Sequence, residues 1–90
     1  MPTHHTNEAD PVVTALAALG WVLESPDRAQ RLLALTGLGA EDLRARAADP
    51  AVLGAVLGFL EAHEPDLVAC AAATGATPAA LVAAREALER

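Results

Sequence analysis

An all-α domain of five or six short helices is the expected fold of this chain. Alanine and leucine, the strongest helix formers, dominate its 53% hydrophobic content. Isoleucine and tyrosine are absent, and Trp21 and Phe59 are the only aromatics, so a sheet core would have to be built from valine alone. A third observation is punctuation that recurs along the chain: a side chain able to accept from free amides, followed by proline. Such a pair starts a helix, because the side chain satisfies first-turn N–H groups and proline gives up an N–H that had no partner anyway.

The elements follow in order. Met1 to Ala9 is polar and without periodicity, and is expected to be a mobile tail ahead of a single helical domain over residues 10–90. Asp10-Pro11 opens the first helix, Pro11–Glu24. It carries two apolar stripes, Val12, Leu16, Leu19 and Leu23 on one side and Val13, Ala17, Gly20 and Trp21 on another. Ser25-Pro26 opens the second, Pro26–Thr36, with Ala29, Leu32, Leu33 and Thr36 inward, and Gly37 suits the left-handed residue after it. The third, Ala40–Ala48, begins with Glu41 and Asp42, which the helix dipole favours in a first turn. Asp49-Pro50 opens the fourth, Pro50–His63, apolar on several sides and paired with the first helix as the expected centre. Glu64-Pro65, a weaker start, opens Pro65–Thr74, which ends at Gly75. Thr77-Pro78 opens the last helix, Pro78–Glu89, with Leu81, Ala84 and Leu88 as its buried stripe. Gly20, Gly54 and Gly58 weaken their helices, and close helix–helix approach is the expected compensation.

The two halves also align without gaps at an offset of 38 residues. Leu19-Gly20-Trp21 falls on Leu57-Gly58-Phe59, Thr36-Gly37 on Thr74-Gly75, and Leu43 on Leu81. The expectation is two related three-helix halves that pool one core.

Composition narrows the function. The formal net charge of -6 opposes non-specific nucleic-acid binding and an anionic membrane surface. The longest apolar stretches are shorter than the ~20 residues of a membrane span. No secretory leader is read at Met1-Pro2-Thr3-His4-His5, so the cytoplasm is the expected location. A single cysteine, Cys70, cannot form an intramolecular disulfide and reads as a small buried hydrophobe. His4, His5 and His63 are scattered, short of the four ligands of structural zinc, and no metal or other cofactor is expected. Ser25, the only serine, is a cap, and no phosphate loop or nucleophile motif occurs, so an enzyme and a small-molecule substrate are not indicated.

Two surfaces remain. Arg28, Arg31, Arg44 and Arg46 concentrate positive charge in the second and third helices, and Trp21 is either core or an interface anchor. A helix-turn-helix spacing recurs at Leu33, Gly37 and Leu43 and at Ala71, Gly75 and Leu81. The second copy's recognition helix offers almost no donors to base edges, and the first opens on carboxylates.

Several runs resemble a known family: Ala15-Leu16-Ala17-Ala18-Leu19-Gly20-Trp21 with Ser25-Pro26, Leu35-Thr36-Gly37-Leu38 with Asp42-Leu43-Arg44 and Ala48-Asp49-Pro50, and Val56-Leu57-Gly58-Phe59-Leu60. The family is a group of small helical bacterial proteins known as a domain of unknown function. The resemblance covers nearly all of the chain after the tail. It implies a stand-alone bacterial cytoplasmic protein and brings no catalytic or binding residues. The expected role is non-enzymatic, a protein–protein interaction or adaptor module acting on an unidentified protein partner or on a second copy of itself. The alternative is a nucleic-acid-associated regulator using the helix-turn-helix geometry.

Overall fold

A computed structural model describes residues 10–90; the expected mobile tail, Met1 to Ala9, lies outside the described residues. Six helices make up the fold: α1 Pro11–Leu23, α2 Pro26–Thr36, α3 Ala40–Ala45, α4 Pro50–Glu61, α5 Glu64–Thr74 and α6 Pro78–Leu88. Among the described residues there is no strand.

The start signals act as the local chemistry requires. The Asp10 carboxylate accepts from the Val12 and Val13 amides at 2.9 and 3.4 Å. Ser25 Oγ accepts from Arg28 N at 3.3 Å, Asp49 from Ala51 N at 2.9 Å and Thr77 Oγ1 from Ala80 N at 3.0 Å. Each is followed by proline in the first turn. The weaker signal behaves differently: His63 occupies the cap of α5 with no side-chain hydrogen bond, and the helix starts at Glu64, one residue earlier than expected. Gly37 and Gly75 end α2 and α5 with φ of 75° and 74°, a conformation that a Cβ disfavours. The third helix is shorter than expected. Arg46 leaves helical geometry at φ -122°, and its guanidinium turns to Asp49, so α3 stops at Ala45.

Packing centres on α1, α4 and α6, which lie against one another. The expected pairing of the first and fourth helices holds, but α6 shares the centre with them. Its Leu81 and Ala84 are buried and Leu88 packs against the core, and the small Ala84 permits close approach. α4 is the most enclosed element, with Val52, Leu53, Val56, Leu57, Phe59 and Leu60 all buried. α5 closes over α1, α4 and α6, α2 lies on α1 and α4, and α3 is anchored by Leu43.

Two expectations about α1 need correction. Its inward face is Ala15, Ala18, Leu19 and Val22, which coincides with neither of the two stripes read from the sequence and shares only Leu19 with them. This set also repeats at helical spacing, and its alanines let α1 approach α4 and α6 closely. The helix glycines also divide. A Cβ on Gly54 would meet Glu89 at 3.4 Å and one on Gly58 would meet Arg85 at 3.8 Å, so both lie under side chains of the α6 end. Among the described residues nothing lies within 4 Å of a Cβ at Gly20, so none of them compensates for its helix cost.

The halves share local features at the 38-residue spacing. Thr36 and Thr74 donate their hydroxyls to the carbonyls four residues back, Leu32 at 2.6 Å and Cys70 at 2.8 Å. Beyond the turns they pack differently: α6 lies along α4 and α1, whereas α3 spans six residues and has no comparable neighbour. The structure is one pooled six-helix globule, and duplication remains a reading of the sequence pattern.

Candidate functional site

The arginines expected to form a charged surface are each engaged within the chain. Arg28, in the first turn of α2, lies over the Trp21 ring with its Cζ 3.6 Å from the centroid. Its Nη2 donates to the Trp21 carbonyl at 2.5 Å, satisfying a carbonyl near the negative end of α1. Arg31 joins α2 to α5 through Asp66 at 3.0 Å. Arg44 sits 3.7 Å from Glu41, both well exposed, and Arg46 pairs with the α4 cap Asp49 at 3.2 Å. Exposed pairs of this kind contribute roughly 0–1 kcal/mol each, but they neutralise the cations locally. The sequence missed a further cation, Arg85, which binds Glu61 on α4 and Glu89 on its own helix. Both carboxylates hold its guanidinium above its usual range, led by the hydrogen bond to Glu61.

Trp21 is half-buried and packed against the core, its outer surface covered by Arg28. It therefore joins α1 to α2 at their corner and is only partly open to solvent. Cys70 is fully buried, and burial pushes its thiol up to about 11, so the reactive thiolate is suppressed. Among the described residues no three His, Cys, Asp or Glu side chains gather as a metal-binding group. His4 and His5 lie outside the described residues, and His63 is exposed between α4 and α5.

α5 and α6 meet at 98° around Gly75, Ala76 and Thr77, a corner of helix-turn-helix type. The second helix exposes Ala79, Ala80, Ala83 and Glu86, with no donor for a base edge among them. No single described helix is long and apolar enough to cross a membrane.

The outward face of α1 is the feature that sequence periodicity did not isolate. Val13, Leu16 and Leu23 are 51%, 40% and 49% exposed, and Ala17 and Gly20 are exposed between them. These five residues lie opposite the buried Ala15, Ala18, Leu19 and Val22. From Pro11 to Leu23 the helix carries no charged side chain. A groove opens on each flank. Val13 and Ala17 border one of about 530 Å³ against Thr74–Ala80. Leu19 and Leu23 border another of about 400 Å³, walled by Leu33 of α2 and Leu43 of α3, with Arg44 at its rim. The signal that could have found this face was already visible: a helix apolar on both sides cannot bury both against a few short neighbours.

Comparison with curated proteins and with solved structures returns no match. Residues 8–90 match the family described as protein of unknown function (DUF3572), and the chain belongs to that family.

Proposed function

We propose that this protein is a non-enzymatic protein–protein interaction module that engages its partner through the outward face of α1. One observation carries the reading: a continuous, uncharged apolar stripe, Val13, Leu16, Ala17, Gly20 and Leu23, left open in a chain of net charge -6. Isolated exposed apolar side chains are ordinary, but a contiguous stripe bordered by grooves has the character of an interaction surface. Trp21 and Arg28 bracket the end of the helix and hold it rigid, which lowers the ordering cost of binding. Arg31, Arg44, Arg46 and Arg85 are paired with carboxylates and Arg28 lies on Trp21, which supports a structural role for these cations. The bacterial cytoplasm is the expected setting, in keeping with the lone buried thiol.

The test is site-specific photo-cross-linking in the host cell, with a benzophenone side chain at Leu16 and, as a control, at the exposed Ala72 of α5. Protein adducts from position 16 and not from 72 are expected. Absence of any protein adduct from position 16 would overturn the reading.

The 98° α5–α6 corner favours a second reading, nucleic-acid association. The engaged arginines and the donor-poor α6 weigh against it. A mobility shift of duplex DNA at low salt, lost steeply as salt rises, would restore it.

A further inference from the structure

We propose that α3 is a lid over the apolar groove between α1 and α2, latched by the single side chain Leu43 and able to open while the rest of the fold holds.

The latch follows from burial. Of the six residues of α3 only Leu43 is buried; Ala40, Glu41, Asp42, Arg44 and Ala45 are exposed. The groove is lined from this side by Ala40, Leu43, Arg44 and Ala47, so small alanines flank the one residue that seats deeply. At the ends of the segment, Leu38 and Ala47 are only partly buried against the core. Among the described residues, none of the closely packed helix pairs includes α3. The groove of about 400 Å³ runs along it, and a hollow of about 120 Å³ lies where Leu38 and Arg46 approach Ala51 and Ala55 of α4.

The polar contacts point the same way. Among the described residues, every hydrogen bond and ion pair made by residues 37–48 finds its partner within four positions along the chain. The Gly39 amide donates to Asp42, Arg44 pairs with Glu41, and Arg46 pairs with Asp49. Such bonds shape the segment but do not fasten it to the rest of the molecule. Its neighbours are fastened: Arg31 ties α2 to Asp66 of α5, and Arg85 ties α6 to Glu61 of α4. Helical geometry is already broken on both sides of α3, at Gly37 with φ 75° and at Arg46 with φ -122°, so its release need not disturb α2 or α4.

Opening has a defined consequence. A free helix of six residues is unstable in water, so a released α3 unwinds. It leaves Leu19 and Leu33 uncovered beside Leu23, which belongs both to this groove and to the exposed face of α1. The apolar surface of α1 therefore grows while the α1–α4–α6 centre stays intact. Resting on the interaction reading above, the lid then governs how much of that face a partner meets; the opening itself needs no partner.

Native-state hydrogen exchange of the full chain, in urea below the unfolding transition, tests the lid. The Leu43 and Arg46 amides, which donate to the Gly39 and Asp42 carbonyls, should exchange well ahead of the α4 amides. Their rate should stay nearly constant as urea rises, because local opening exposes little surface, while exchange in α4 accelerates. Leu43→Ala should speed exchange at both amides at least about tenfold, with α4 still the slowest element. The same variant should enhance the fluorescence of anilinonaphthalene sulfonate, which reports the uncovered groove floor. Exchange of Leu43 and Arg46 in step with α4 across urea would overturn the proposal, as would a Leu43→Ala variant whose exchange or dye fluorescence matches the parent's. Failure of the position-16 cross-linker to capture a protein would remove the interaction reading and leave the exchange result untouched.

Discussion

Replacing Gly20 by alanine should stabilise the protein, and the same replacement at Gly37 should destabilise it. Gly20 sits in the middle of α1 with ordinary helical backbone, and a Cβ there meets nothing within 4 Å. The substitution then acts only through helix propensity and the entropy of the unfolded chain, about 0.5–1 kcal/mol in favour of alanine. For a domain of this size, that raises the melting temperature by roughly 2–8 °C. Gly37 also has open space around it, but its φ is 75°. A Cβ in that conformation costs roughly 1–2 kcal/mol, which outweighs the entropy gain. The expected net loss is about 1 kcal/mol. Circular dichroism melts of both variants and the parent, recorded in dilute solution, check both signs. A Gly20→Ala variant that melts at or below the parent in dilute solution would refute the view that the outer face of α1 is open.

Three other perturbations have definite outcomes. Arg28→Ala removes the cation from the Trp21 ring and the donor to its carbonyl, and should cost about 0.5–2 kcal/mol with a red shift of tryptophan emission; an unchanged spectrum would contradict the stacked geometry. Cys70 should resist an aromatic disulfide reagent in the native protein and react quickly in urea. Its folded value near 11 exceeds the ordinary 9.0, so its contribution to stability is complete below pH 9 and declines as pH rises toward 11. The Asp49 carboxyl is held below its ordinary 3.8, first by the Ala51 amide and then by Arg46. Its contribution is therefore present above about pH 4 and lost as pH falls below it, so Asp49→Asn should flatten the acid limb of a pH–melting profile.

Caps and turns were legible in the sequence because their chemistry is local. Asp10, Ser25, Asp49 and Thr77 need only the amides two or three residues ahead, and Gly37 and Gly75 need only their own backbone angles. Five of the six helix starts follow from residues within one turn of the boundary. The end of α3 was less legible, because it depends on Arg46 turning to Asp49 and away from another helical turn. The candidate site was legible only in part. Two apolar stripes on α1 are legible in the sequence, but the exposed face draws Leu16 and Leu23 from one and Val13, Ala17 and Gly20 from the other. The arginine-rich middle read as a surface, yet Arg31 is tied to Asp66, far away in sequence, and Arg28 is spent on Trp21.

By itself the sequence determined an all-helical chain, where most helices begin, and that the fourth would be enclosed. It could not determine which face of α1 turns inward, since apolar residues repeat at helical spacing on more than one side of the helix. Tertiary contact decided that, seating the alanine-bearing face against α4 and α6, where close axes bury more surface, and leaving Val13, Leu16 and Leu23 to solvent. The same contacts brought α6 into the centre and placed its Arg85 and Glu89 across the α4 glycines. Local hydrogen bonding can be read one turn at a time, but the choice between equivalent faces depends on the shape of every neighbour at once.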